Sequence, residues 1–84
     1  MTTKKTSRRK RTPEQSKYLK KLGAHIKAVR KSQGYSQDRL YLEARFSRAN
    51  MTRIERGDVD PQAGTLKRIA DTIGVPMKKL FDFE

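Results

Sequence analysis

The chain has 84 residues, and its 21 Lys and Arg against 9 Asp and Glu give a formal net charge of +12, which favours a polyanionic partner. This length allows one small domain with a modest core, and the absence of cysteine excludes disulfides, thiolate metal sites and cysteine nucleophiles. No apolar run approaches the roughly 20 residues of a membrane helix, and the basic start lacks the apolar segment of a signal peptide, so we expect a cytoplasmic protein without membrane contact.

Residues 1–11 are polar and basic, without hydrophobic spacing, and this predicts a disordered tail. This segment contains six Lys and Arg residues and no acidic residue, so its formal charge is +6. Residues 12–84 carry the other +6 of the net charge. The part of the chain that we expect to fold, residues 12–84, is therefore basic even without the tail.

A helix start signal occupies residues 12–15. Thr12 can serve as the N-cap, Pro13 suits the first turn, and Gln15 completes a capping box. Gly34 is placed to end this first, long helix in a left-handed conformation. The apolar stripe of the helix, at steps of three and four residues, comprises Leu19, Leu22, Ile26 and Val29.

Two short helices follow. Ser36 can cap the second helix, which should stop near Arg45, and Ser47 can cap the third, which should end at Gly57. Each short helix has a single apolar stripe, so the polar residues of the third helix point into solvent or into a partner. A short helix, a tight turn and a second short helix with a polar outer side form a helix-turn-helix, whose second helix enters the DNA major groove. These polar residues are Arg48, Asn50, Thr52, Arg53 and Arg56.

The last third of the chain predicts two more helices. Asp60 followed by Pro61 is a start signal for a fourth helix that Gly74 closes, and Pro76 opens a short fifth helix. No segment alternates as a strand would. The expected fold class is therefore all-α, with five helices.

A motif of many elements links these helices. Its central part comprises Gln37, Asp38, Leu40, Met51, Ile54, Glu55 and Gly57. The flanking matches are Leu22, Gly23, Ile26 and Arg30 upstream, and Pro61, Thr65, Leu66, Ile69, Ala70, Gly74, Val75, Leu80 and Phe81 downstream. From about residue 18 to 83 the chain thus resembles the phage-repressor and Cro-type helix-turn-helix family, also called the xenobiotic-response-element family. The resemblance implies a lambda-repressor-like helical bundle that binds double-stranded DNA.

Roles for individual residues follow from matched positions in that family. Arg48 is suited to a bidentate pair with guanine, and Asn50 or Arg53 to a neighbouring base. Ala49 is suited to contact with a thymine methyl group. The residues expected at the DNA backbone, where contacts fix register without reading sequence, are Gln37, Arg45, Ser47, Thr52 and Arg56. For Gln37 the resemblance also allows a second role, bracing of the recognition helix.

The resemblance also implies an ion pair between Arg30, late in the first helix, and Glu55, at the end of the third. If buried, the pair would hold these helices together.

Two positions depart from the family pattern. Tyr41 stands where alanine is usual, and Arg45 stands where glycine is usual. Tyr41 predicts that the short helices splay slightly or that its ring swings outward. Arg45 occupies a turn position that favours a positive φ, and we expect it to add a phosphate contact.

The expected function is a sequence-specific transcriptional repressor that reads the major groove with helix 47–56 and binds a palindromic operator as a homodimer. Phe81 and Phe83 offer apolar surface for pairing. Two alternatives remain open. One is the DNA-binding half of a toxin–antitoxin pair, with a protein partner, and the other is a non-specific basic nucleic-acid binder.

The basic tail has three interpretations: a solubilising arm, a minor-groove arm as in homeodomains, or a localisation signal.

Catalysis is not expected. One histidine, His25, no cysteine and no convergent acids leave no general base or nucleophile arrangement. His25 also lacks partners at metal-ligand spacing, so neither a metal site nor a cofactor is expected.

Overall fold

The computed structural model describes residues 11–84, and within that range the chain forms four α-helices and one 3-10 helix, without strands. They are α1 (Pro13–Ser32), α2 (Gln37–Glu43), α3 (Arg48–Arg56), α4 (Ala63–Ile73) and the C-terminal 3-10 helix (Met77–Phe81). None of these helices is long and apolar enough to cross a membrane. The predicted disorder of the basic segment concerns positions outside the described residues, apart from Arg11.

The all-helical fold is confirmed, but the prediction of five α-helices is wrong. The segment after Pro76 forms a 3-10 helix of five residues, in which Lys79 N donates to Pro76 O at 2.9 Å. A stretch this short closes few i→i+4 hydrogen bonds against the entropy cost of a helical nucleus, so the tighter 3-10 turn is preferred. Leu80 is fully buried and anchors this turn in the core.

Side-chain caps begin the first three helices where the sequence predicts them. Thr12 Oγ1 accepts from Gln15 N at 3.1 Å while Thr12 N donates to Gln15 Oε1 at 2.8 Å, and these two bonds form the predicted capping box. Ser36 and Ser47 each accept a hydrogen bond from the backbone N–H three residues later, at 3.0 and 3.1 Å. The three helix starts are therefore confirmed.

The predicted start of the fourth helix at Asp60 is wrong. α4 begins after Gln62, which is its N-cap but makes no side-chain cap bond. Residues 60–62 instead form the connection that leads into the helix. α4 is held by its buried face, Leu66, Ile69, Ala70 and Ile73, and packing of that face rather than the local signal at Asp60 determines where the helix lies.

All five helices contribute to one hydrophobic core. α1 packs against α3 and the 3-10 helix, while α2 packs against α3 and α4. The core includes the apolar stripes predicted for the first three helices and the buried face of α4. Its buried hydrophobic residues are Leu19, Leu22, Ile26, Val29, Leu40, Ala44, Met51, Ile54, Leu66, Ile69, Ala70, Ile73 and Leu80.

α1 and α3 approach each other so closely at two glycines that no side chain fits. A Cβ added to Gly23 would lie 2.6 Å from the carbonyl oxygen of Glu55, and one added to Gly57 would lie 2.6 Å from the Cα of Lys20. Gly57 also has a φ of 77°, in the left-handed region that glycine adopts without steric cost. This backbone contact fixes how α3 sits on α1, and with it the direction in which the outer side of α3 points.

We predict that Gly23→Ala destabilises the protein by about 1–3 kcal/mol, because its methyl group overlaps backbone atoms that cannot move aside locally. The matched control is Gly64→Ala in α4, where an added Cβ meets nothing within 4 Å. That control should be neutral or more stable by about 0.5 kcal/mol. Urea unfolding of both variants measures the difference, and a Gly23→Ala protein as stable as the Gly64→Ala protein would disprove the close approach.

Candidate nucleic-acid interface

The outer side of α3 is set by its buried residues. Met51 and Ile54 face the core, so at 100° per residue the opposite side is centred on Ala49, Arg53 and Arg56. All three of these residues are exposed. Two arginines therefore flank one small side chain at the most outward part of the helix.

One edge of this side borders α2. Thr52 Oγ1 donates to Gln37 Oε1 at 3.5 Å, and Arg48 Nη2 lies 3.9 Å from Asp38 Oδ1. Tyr41, on the same side of α2 as Asp38, is half-buried and packs against the core. Tyr41, where the family usually has alanine, thus lies at the edge between α2 and α3.

The other edge borders α4. Asn50 is exposed, accepts a hydrogen bond from Arg53 Nη1 on Oδ1 at 3.3 Å, and lines a shallow groove toward α4. Across that groove the Arg68 guanidinium carbon lies 4.7 Å from the centroid of the Phe46 ring. This cation–π contact could not be predicted from the sequence, because no motif links a residue of the turn with one 22 positions later.

The single acid of α3, Glu55, does not reach the outer side. Arg30 Nε donates to Glu55 Oε2 at 2.7 Å and Arg30 Nη2 to Oε1 at 3.1 Å, with both side chains about 95% buried. Arg30 Nη1 donates to the Tyr35 carbonyl at 2.8 Å, and Gln37 Nε2 donates to Glu55 Oε1 at 3.2 Å. The structure therefore brings the two residues of the predicted ion pair together and leaves the exposed side of α3 with arginines and no carboxylate.

Acids on neighbouring elements lie near two of these arginines. Arg56 Nε is 3.4 Å from Asp58 Oδ2, and Arg48 is within reach of Asp38. All four side chains are well exposed. Such exposed pairs contribute about 0–1 kcal/mol, so they leave the arginines free to exchange partners.

Two arginines have raised pKa values. The pKa of Arg48 is raised chiefly by hydrogen bonding to the Tyr41 side chain, and further by charge interactions with Tyr41 and Asp38. The pKa of Arg39 is raised chiefly by its hydrogen bond to Glu43, whose Oε2 lies 2.9 Å from Arg39 Nε. Arginine is protonated at any physiological pH, so the positive charge on this surface does not vary with pH.

The turn between α2 and α3 contains a strained residue. Arg45 has a φ of 65°, and it is the one non-glycine residue with positive φ among residues 11–84. A side chain in this left-handed region costs roughly 1–2 kcal/mol, which glycine would avoid. The exposed arginine side chain projects from the turn next to Ser47, whose hydroxyl already caps α3.

The side chain of His25 contacts the C-terminal segment. Its Nε2 lies 2.9 Å from the Lys79 carbonyl oxygen, and its ring centroid lies 5.4 Å from that of Phe83, so it joins α1 to the C-terminal segment. Nowhere in the described part of the chain do three His, Cys, Asp or Glu side chains meet in a way that would hold a metal ion.

Comparison with known proteins places this geometry in a family. The helix-turn-helix family model matches residues 26–80. The HTH-type transcriptional regulator SlrR of Bacillus subtilis (strain 168) is 36% identical over 64 residues, which cover 75% of this chain and 42% of that protein. The chain therefore spans about two fifths of the length of this curated relative.

Two crystal structures share the fold. The DNA-binding domain of BldD superposes with a TM-score of 0.69 at 34% identity, covering 77% of this chain and 94% of that domain. The restriction-modification controller protein C.AhdI from Aeromonas hydrophila superposes with a TM-score of 0.72, covering 75% of this chain and 96% of its own. At 24% identity, this second likeness concerns the fold alone.

Glu55→Gln should destabilise the protein by about 3–5 kcal/mol, because it leaves Arg30 charged and unpaired in the interior. The control is Glu43→Gln, which removes the acid of an exposed pair with Arg39 and should cost less than about 1 kcal/mol. Equilibrium denaturation of the wild type and both variants measures these costs. Equal losses in the two variants would mean that the Arg30–Glu55 pair does not hold α1 and α3 together.

Proposed function

The chain belongs to the helix-turn-helix family of DNA-binding transcription regulators, which are not enzymes, and from this membership we propose that it is a repressor that reads a specific operator with α3. The observation that carries the proposal is the outer side of α3, where arginines are exposed and the only acid of the helix is buried. A DNA major groove accepts one α-helix and displays acceptors on guanine that match a guanidinium.

Residues 48–53 of α3 supply the proposed base contacts. Arg48 or Arg53 pairs with guanine O6 and N7, and Asn50 pairs with an adjacent base. Ala49, near the centre of the outer side, lets the helix backbone come close to the groove floor and contacts a thymine methyl. Each bidentate pair contributes roughly 1–3 kcal/mol of discrimination against the wrong base.

Residues beside these positions, on α2, in the turn and on α3 itself, supply the proposed backbone contacts. Gln37 and Thr52 sit at the α2 edge and are hydrogen-bonded to each other, so both are already oriented before binding. Ser47 and Arg45 project from the turn, and Arg56 lies at the far end of the helix. Contacts from these positions would fix the register of α3 without carrying sequence information.

We further propose that the protein binds as a homodimer on a palindromic site. A single domain of this size makes few contacts, and two half-sites one helical turn apart raise affinity without a larger interface per protomer. Aromatic side chains at the C-terminal end support this proposal. Tyr18 is 47% and Phe81 39% exposed, and the Tyr18 ring lies 5.3 Å from that of Phe83. Occupancy of an operator by such a dimer would repress transcription by blocking the promoter.

Selection of duplexes from a random pool tests the function. We expect enrichment of a two-fold symmetric sequence with half-sites about 34–36 Å apart, bound at least 10³-fold more tightly than random DNA at physiological salt. Recovery of no common sequence would instead favour a non-specific binder, and recovery of a single half-site would exclude the dimer.

Arg45→Gly should separate the stability of the turn from its contact with DNA. We expect a gain of about 0.5–1 kcal/mol in unfolding free energy, because glycine relieves the positive φ. We also expect the slope of log K against log salt to decrease by about 0.9 per protomer, through loss of one phosphate contact. Lys78→Ala, on the 3-10 helix that packs against α1 and α4, removes the same charge and should leave the slope unchanged. An unchanged slope in Arg45→Gly would remove Arg45 from the interface.

A further inference from the structure

A basic side chain outside the helix-turn-helix borders the outer side of α3. The guanidinium carbon of Arg68, in α4, lies 4.7 Å from the centroid of the Phe46 ring. Arg68 is exposed, and together with Asn50 of α3 it lines a groove of about 320 Å³ between the two helices, the α3–α4 groove. The basic surface of α3 therefore continues across this groove onto α4.

Phe46 gives this arginine a fixed surface. Its ring is half-buried and packs against the core, and its backbone N–H donates to the Tyr41 carbonyl at 2.8 Å. A cation–π contact restrains a guanidinium without pairing its charge with an acid, so the N–H donors remain available to an anion. Arg68 is thus held in place on one side and able to bind on the other.

No acidic side chain in the described part of the chain pairs with Arg68. Asp71, one turn later in α4, is paired with Lys67 at 2.8 Å. Asp60 also lines the α3–α4 groove, but none of the ion pairs among residues 11–84 includes Arg68. The fold therefore does not use the charge of this arginine in an ion pair.

The proposed complex with DNA offers a partner for that charge. The major groove is about 12 Å wide and an α-helix with its side chains about 10–12 Å across, so a helix in the groove lies between two phosphate strands. The backbone contacts proposed for Gln37, Thr52, the turn and Arg56 leave the strand at the α4 edge of α3 without a protein partner. Arg68 lies at that edge.

We propose that Arg68, held by Phe46, binds a phosphate of the DNA strand that runs along the α4 edge of α3, an inference that rests on the proposed function. A guanidinium donates two parallel N–H bonds to one phosphate, and such charge-assisted bonds are stronger than neutral ones. Restraint by the ring before binding lowers the rotamer entropy lost in the complex. A phosphate contact carries no sequence information, so Arg68 adds affinity on any sequence.

Arg68→Ala tests the phosphate contact. Affinity is measured by fluorescence anisotropy at several salt concentrations, for the duplex that the wild type selects and for a random duplex of equal length. We expect the slope of log K against log salt to decrease by about 0.9 per protomer on both duplexes. At about 0.1 M salt, this slope corresponds to a roughly eightfold loss of affinity per protomer.

Two further variants of a charged residue serve as controls. Lys78→Ala removes the same charge from the 3-10 helix, which does not line the α3–α4 groove, and should leave the slope unchanged. Arg68→Lys keeps a positive charge within reach of the phosphate and should retain the wild-type slope.

Substitution of the ring tests the restraint. Phe46→Leu keeps an apolar side chain but removes the aromatic face, and we expect an about two- to threefold loss of affinity on both duplexes with an unchanged slope. In an Arg68→Ala background the same substitution should have no further effect, because the side chain it positions is absent. Phe46→Tyr keeps an aromatic face and should bind as the wild type does.

The phosphate contact is overturned if Arg68→Ala changes the slope no more than Lys78→Ala does, or if it weakens binding to the selected duplex alone, as loss of a base contact would. The positioning role of Phe46 is overturned if Phe46→Leu has no effect, or if it costs as much in the Arg68→Ala background as in the wild type. Failure of the proposed function looks different. The wild type would then bind the two duplexes equally, while its salt slope would still report on Arg68.

Discussion

The buried pair of Arg30 and Glu55 is the interaction on which the arrangement of α3 depends. It joins the end of α1 to the end of α3, and further hydrogen bonds link Arg30 to the Tyr35 carbonyl and Glu55 to the Gln37 amide. Burial of two charges is costly, so the pair need not add much net stability, but it makes any other placement of Glu55 unfavourable. The same contact removes the only carboxylate of α3 from the surface. One ion pair thus fixes the position of the helix and determines the charge of its exposed side.

Steric constraints further restrict the position of α3 on α1. Gly23 and Gly57 let the backbones of α1 and α3 touch, so α3 cannot roll or slide without a clash at one of the two glycines. α2 packs against a second side of α3, where Gln37 of α2 accepts a hydrogen bond from Thr52 of α3. Since α3 has only nine residues, it would not be stable as an isolated helix, and its rigidity comes from these contacts rather than from its own hydrogen bonds. In the complex that we propose, an α3 held in this way would enter the groove with little entropy left to lose.

Features that depend on neighbouring residues could be predicted from the sequence, and those that depend on distant ones could not. The caps at Thr12, Ser36 and Ser47 join atoms three residues apart, so sequence was sufficient to place them. The signal at Asp60 is equally local, but the position of α4 depends on the packing of its buried face against the rest of the core. Pro76 correctly predicts the start of the last helix, but five residues are too few for an α-helix. For the site, helical periodicity identified the outward residues of α3. It could not show that Arg48 lies against Asp38, because that contact depends on how α2 crosses α3.

The acidic residues near α3 and the one within it contribute differently to stability. Glu55 is buried, and loss of its contact with Arg30 would leave that arginine charged and unpaired in the interior. Asp38 and Asp58 are exposed to solvent, where pairing with an arginine contributes about 0–1 kcal/mol. In the complex that we propose, contact with phosphate or guanine would replace these weak pairs at little cost. Glu55 therefore bears on whether the domain folds, whereas substitution of Asp38 or Asp58 would leave the core undisturbed.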